Sequence, residues 1–259
     1  MLQELYHIAK DLIYENRCAV CRTPTHTAEI VCKLCNPINT LLPHSQLLIP
    51  PYCVRCGESL QIGSNNLCQN CNLYPLAIRY IRSIWAYTDT AESLICAYKY
   101  GNSRSLATFL AAVSASAIQS GIYPPEARYN WNLILPLPST YSTLRQREFS
   151  PVGKIVKSLS VNLNLPFSSL ALEAVGNHPP QASLSPVERL KHIKAKFRAS
   201  SRLVSEKKVL LVDDVITSGA SLIGSAVCLL EAGAESVDAL SLCRSELFSQ
   251  LRREIFRII

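Results

Sequence analysis

Val209-Leu210-Leu211-Val212-Asp213-Asp214-Val215-Ile216-Thr217-Ser218-Gly219-Ala220-Ser221 is the stretch that decides the fold of this chain. It opens on a continuous apolar run, the pattern of a parallel strand covered on both faces. Two carboxylates follow, then small hydroxyl and glycine residues, then an apolar helical pattern from Leu222 to Ala232. The order is strand, acidic pair, small-residue loop, helix. In an open α/β sheet, ligands bind beyond the carboxyl ends of the strands. A helix N-terminus placed there offers free N–H groups and the positive end of a dipole to an anion. Gly219 permits close approach of the backbone. Thr217, Ser218 and Ser221 can donate hydroxyl hydrogen bonds, and Asp213 and Asp214 can hold vicinal sugar hydroxyls or a divalent cation. The plainer alternative is a βα turn with two surface acids.

The stretch resembles the phosphoribosyl pyrophosphate (PRPP) signature of type I phosphoribosyltransferases at every apolar, acidic and small position. That resemblance implies that Asp213 and Asp214 grip the ribose hydroxyls. It also implies that Thr217, Ser218, Gly219, Ala220 and Ser221 cradle the 5-phosphate.

Composition sets wider bounds. The 259 residues are 48% hydrophobic and 17% charged, enough for one large or two smaller cores. With 26 basic and 19 acidic residues, the formal charge is +7, which favours an anionic ligand or nucleic acid. If eight cysteines are thiolates on two Zn²⁺, the net change is minus four and the charge falls to +3. Basicity alone is therefore a weak argument for DNA. Glu4, Lys10, Asp11 and Glu15 interrupt any signal-like run between Met1 and Arg17, and no long uncharged apolar segment suits a membrane span. A cytoplasmic protein is expected, and there clustered cysteines more often bind metal than form disulfides.

Eight of the eleven cysteines come in pairs: Cys18-x-x-Cys21, Cys32-x-x-Cys35, Cys53-x-x-Cys56 and Cys68-x-x-Cys71. A two-residue gap lets both thiolates of a pair reach one ion from a tight turn, so structural Cys₄ zinc is expected, one or two ions per chain. Sequential and interleaved pairings are equally open, and iron–sulfur is a weaker alternative. His26 and His44 could substitute as ligands. The polar segment between pairs, with Pro43, Pro50 and Pro51, buries little, so metal would be its main folding force. Cys96, Cys228 and Cys243 lie in apolar contexts and read as core.

Elsewhere, residues 2–16 show helical apolar spacing and read as a packing helix. Residues 81–87 suggest a strand, 91–98 a helix stopped near Gly101, and 106–119 a second helix. Leu133-Ile134-Leu135 is a short buried strand ending at Pro136-Leu137-Pro138-Ser139. The loop from Pro136 to Thr140 is the candidate pyrophosphate cradle, with Arg145 and Arg147 supplying charge. Residues 151–163 look helical and 173–190 loop-like. The charged run Glu188 to Arg198 has helical spacing and reads as a solvated face or a mobile flap. Residues 234–242 read as a last strand, with Leu242-Cys243-Arg244-Ser245 as its terminal loop.

N-terminal cysteine modules and a C-terminal PRPP signature together resemble the ComF family (ComFC-like), bacterial proteins with a zinc finger joined to a phosphoribosyltransferase-type domain. The family's lysine-tyrosine-glycine motif falls on Lys99, Tyr100 and Gly101, and its proline-rich strand end on Pro136 and Pro138. Its later glutamine, leucine and glutamate-arginine fall on Gln181, Leu184, Glu188 and Arg189, with Phe197 closing the segment. At Arg147-Glu148-Phe149-Ser150 the family's glycine and asparagine are lost. Ala174 and Gly176 stand where arginines usually precede the glutamine, and His192 replaces an asparagine. Departure of pyrophosphate needs cationic stabilisation, so PRPP binding is the firmer expectation than transfer.

The resemblance implies an α/β, type I phosphoribosyltransferase fold over residues 81–259 and an N-terminal helix with Cys₄ modules over residues 1–80. It implies a role in natural transformation, with Mg²⁺–PRPP as ligand and single-stranded DNA and DNA-uptake proteins as partners. The alternatives are an active transferase acting on a nitrogenous base and a non-catalytic PRPP sensor.

Overall fold

A computed structural model describes residues 17–25, 29–36, 52–58, 60, 66–73, 77–101, 103–128, 130–139, 150–175 and 195–245. Its centre is a four-stranded sheet. In chain order the strands are β1 (Ile81–Ala86), β2 (Leu133–Pro136), β5 (Lys208–Ile216) and β6 (Ser236–Arg244), arranged β1-β6-β5-β2 with every pair parallel. The apolar run at 209–212 is thus an interior strand. A two-stranded antiparallel pair, β3 (Leu172–Ala174) with β4 (Phe197–Ala199), stands beside the sheet.

Alternation along β5 divides the core. Leu210 and Val212 join one buried cluster; Val209 and Leu211 join the other. The first holds the apolar faces of three helices: α2 (Asp89–Gly101), α3 (Arg104–Gln119) and α5 (Pro151–Leu163). The second holds α7 (Ala220–Glu231), through Leu222, Ile223, Ala226 and Leu229. Both faces of the sheet are covered, as an all-parallel sheet requires.

The helix ends follow from local chemistry. Ser103 caps α3 by accepting from the Leu106 N–H at 3.3 Å. Ser150 caps α5 by accepting from the Gly153 N–H at 3.1 Å, with Pro151 in the first turn. A Cβ on residue 153 would lie 2.9 Å from Ser150 Oγ, so glycine there leaves room for the cap. Asn164, at φ 52°, ends the helix in the left-handed conformation.

Three sequence expectations shift. The charged run 188–198 does not end as helix: Phe197 and Arg198 pair antiparallel with Ala174 and Glu173. Period-3.6 charge spacing overlapped a short strand too brief to set its own pattern. Glu173 and Ala174, expected in a loop, belong to that pair. Strand β6 runs through Arg244, because its main chain stays paired with Ile216 and Ala86. The helix expected at 2–16, and His26 and His44, lie outside the described residues.

Candidate functional site

The carboxyl ends of β5 and β2 meet at one point. The Leu137 N–H donates to Val212 O at 2.7 Å, which extends β2–β5 pairing to the residue before Asp213. The Pro136–Ser139 loop therefore lies beside the acid pair. Asp214 is buried, with 9% exposure, and Asp213 is half-buried. Lys99, at the end of α2, donates from Nζ to Asp214 Oδ1 at 2.8 Å, and both side chains are largely covered. Asp213 Oδ1 accepts from the Asp214 N–H at 2.8 Å. Burial pushes the Asp213 carboxyl up from its ordinary 3.8 to about 8. The neighbouring Asp214 charge adds to the rise; the Asp214 N–H and the Lys99 ammonium oppose it. Burial and Asp214 also push the nearby Tyr98 phenol up, and the Cys243 thiol up to about 12.

The loop after β5 turns on Gly219, at φ 76°, a left-handed conformation that suits glycine. Ser218 Oγ accepts from the Ala220 N–H at 3.3 Å, and the Ile223 N–H closes onto Gly219 O at 2.9 Å. The first amides of α7 thus sit at the strand end together with Thr217, Ser218 and Ser221. At the Pro136–Ser139 loop, a cavity of about 260 Å³ is lined by Pro136, Pro138, Ser139, Ser150, Gly153, Ser169, Leu172, Glu173 and Ala174.

Sequence reasoning named Lys99 and the 136–139 loop separately from the acid pair, and the fold brings them together. It gave no site role to Ser150, which it noted only as a departure from the family motif, and it missed Ser169 and Glu173, which are distant in the chain and carry no motif. Thr140, Arg145, Arg147, Gln181 and Arg189 lie outside the described residues.

The pairing of the cysteines is sequential. Cys18, Cys21, Cys32 and Cys35 form one cluster, and Cys53, Cys56, Cys68 and Cys71 another; within each, the sulfurs lie within 4.8 Å of one another. The Cys21–Cys32 and Cys56–Cys68 Sγ separations are both 3.7 Å. A tetrahedron with Zn–S bonds of about 2.3 Å has edges of about 3.8 Å, so these thiols fit structural zinc. The clusters differ in burial: all four cysteines of the second are buried, while Cys21 of the first is exposed. Cys18 packs with the α2–α3–α5 layer and the second cluster with the α7 layer.

For the acid pair, the hard oxygen donors of Asp213 and Asp214 suit Mg²⁺, with Lys99 offsetting one of the two charges. Among the described residues, no helix is long and apolar enough to cross a membrane.

The chain is 27% identical over 237 residues to Competence protein F of Haemophilus influenzae, which covers 88% of this chain and 97% of the relative. It is 25% identical over 201 residues to Competence protein ComFC of Bacillus subtilis, covering 74% and 78%. The chain is a relative of the ComF competence proteins. No protein-family model matches it. Solved structures similar to this ComF relative are phosphoribosyltransferases. The adenine phosphoribosyltransferase of Saccharomyces cerevisiae is 14% identical, over 60% of this chain and 77% of its own length, at a TM-score of 0.38. That of Thermoanaerobacter pseudethanolicus is 13% identical, over 56% and 83%, at 0.35. The allosteric regulatory enzyme of purine biosynthesis is 18% identical over 56% of this chain, which spans 26% of that enzyme, at 0.35.

Proposed function

We propose that this ComF relative serves natural transformation, as an adaptor for incoming single-stranded DNA on the cytoplasmic side, and that its α/β domain binds PRPP with Mg²⁺. One observation carries the PRPP reading. Asp213 and Asp214 lie near the carboxyl end of an interior parallel strand, Lys208–Ile216, whose chain then turns on Gly219, at φ 76°, into the N-terminus of α7. In this reading Asp213 and Asp214 accept hydrogen bonds from the ribose hydroxyls. The amides and hydroxyls of Thr217, Ser218, Gly219, Ala220 and Ser221 surround the 5-phosphate. Pro136, Leu137, Pro138 and Ser139 face the pyrophosphate end, with Arg145, Arg147, Gln181 and Arg189 as further candidate contacts. Lys99 offsets the charge of Asp214 and orients it. Mg²⁺ supplies charge neutralisation for the pyrophosphate.

A second reading, transfer of ribose 5-phosphate from PRPP to a nitrogenous base, is favoured by the cavity of about 260 Å³ beside the strand ends. The two readings are separated by titrating PRPP into the zinc-loaded protein by calorimetry, then assaying pyrophosphate release with a panel of bases. Saturable binding without release is expected. Absence of binding would sink the PRPP reading, and release with any base would establish transfer. The competence role is tested by deletion of the gene: DNA uptake is lost and returns with the wild-type protein. Full rescue by Asp213→Asn/Asp214→Asn would show that uptake does not need the acid pair.

A further inference from the structure

The second cysteine cluster is tied to the sheet by more than apolar packing. Its first knuckle, Cys53-Val54-Arg55-Cys56, turns its carbonyls toward the strands. Arg82 of β1, 2% exposed, donates from Nη2 to Val54 O at 2.7 Å and from Nη1 to Arg55 O at 3.2 Å. The Ile81 N–H also donates to Arg55 O, at 2.7 Å. Arg244, the last residue of β6 and 7% exposed, donates from Nη2 to Cys56 O at 2.6 Å. A buried carbonyl without a partner is costly, and a charged donor satisfies it strongly.

Arg244 also stands at the candidate ligand end of the sheet. Its main chain pairs with Ile216, the residue before Thr217, and its carbonyl accepts from the Tyr87 N–H at 2.8 Å. The next residue, Ser245, donates its N–H to Ile216 O at 2.9 Å. One residue therefore joins a cysteine ligand's carbonyl to the strand that launches the Thr217–Ser221 loop.

We propose that Arg244 is a positioning residue that couples the Cys53/Cys56/Cys68/Cys71 cluster to the Thr217–Ser221 loop, so that zinc held by this cluster fixes the loop in its anion-cradling conformation. Zinc freezes the knuckle, and the frozen knuckle presents Cys56 O at a fixed point. Arg244, held at its head by that carbonyl and at its main chain by Ile216 and Tyr87, then fixes the end of β5. A knuckle without metal loses its fixed geometry and releases that constraint. Coupling of this kind is reciprocal: a ligand that orders the loop must tighten zinc binding by the factor by which zinc tightens the ligand. The ligand part of this inference rests on the PRPP reading above; the loop part does not.

The test uses the full-length, zinc-loaded chain and compares wild type, Arg244→Met and Arg244→Lys. Hydrogen–deuterium exchange is followed in peptides covering 213–221, with 151–163 as a folding control. Arg244→Met is expected to speed exchange in 213–221 about tenfold with both zinc ions bound and the control unchanged. PRPP affinity falls about tenfold. In wild type, saturating PRPP raises the affinity for the more tightly held zinc by a similar factor, read by equilibrium competition with a chelator, and Arg244→Met abolishes that gain. Arg244→Lys keeps the charge and one donor without the planar fork and speeds loop exchange about threefold; it decides the matter if Arg244→Met does not fold. Wild-type exchange at 213–221 in a folded, zinc-loaded Arg244 variant overturns the inference. PRPP binding that leaves the equilibrium zinc affinity untouched overturns it as well. Failure of wild type to bind PRPP overturns the PRPP reading instead, while loop exchange still decides the link.

Discussion

Affinity for Mg²⁺–PRPP should rise with pH through about 8, and the origin of that rise is Asp213. Its carboxyl is pushed from 3.8 to about 8, first by burial and then by the charge of Asp214. Accepting ribose hydroxyls or a hard cation requires the ionised form. At a pH 1.5 units below the midpoint, roughly one molecule in thirty is ionised. Raising pH from about 6.5 to about 8 should then tighten binding roughly sixteenfold, a little under about 2 kcal/mol at about 1.4 kcal/mol per tenfold, with a further factor of about two well above the midpoint. Calorimetry from about pH 6.5 to 9.5, with Asp213→Asn correcting for the ligand's own ionisation, reads this directly. Lys99 opposes the rise, so Lys99→Met should move the midpoint upward. Apo-protein stability runs the other way. A carboxyl raised in the folded state favours folding while protonated, so its contribution is full below about pH 4 and is lost as pH climbs to about 8. A wild-type affinity that tracks Asp213→Asn across the whole range would refute the reasoning.

Other outcomes follow from the same geometry. Metal analysis of the purified chain should give about two zinc per molecule, and a folded, metal-free protein would overturn the cluster assignments. Zinc should leave the first cluster faster than the second under chelation, because Cys21 is exposed whereas all four cysteines of the second are buried; equal rates would show that burial does not limit access. Asp238 is fully buried and accepts from Arg79 Nε and Nη2, the Tyr80 N–H and Trp131 Nε1. Asp238→Ala should cost about 3–5 kcal/mol in urea unfolding by leaving Arg79 and Trp131 without their acceptor; a loss below about 1 kcal/mol contradicts that role. Gly219→Ala forces a Cβ into the left-handed region at φ 76°, with an expected cost of about 1–2 kcal/mol and weaker PRPP binding by calorimetry.

Local patterns carried what local physics controls. The run Val209 to Val212 was legible as a strand covered on both faces, and Thr217 to Ser221 as its turn into a helix, because apolar continuity and small residues act within a dozen positions; the pairing with β6 carries the strand on through Asp213 to Ile216. Helix 151–163 was legible in the sequence as well. The cysteine pairs announced metal, since two-residue spacing is itself the geometry that places two thiolates on one ion. Only the tertiary structure settled which pairs lie together, because spacing within a pair says nothing about which pairs meet. It also brought Lys99 to Asp214 across 115 positions and placed the two clusters against opposite layers of the sheet. Phe197 and Arg198 became strand because their partners lie at 173 and 174, a pairing no local window contains. The clamp of Arg82 and Arg244 on the second knuckle was invisible for the same reason. The sequence of a parallel sheet records which residues are apolar, acidic or small; which strand ends adjoin is decided by strand order, and here that order sets the Pro136–Ser139 loop beside the acid pair and Arg244 beside Ile216.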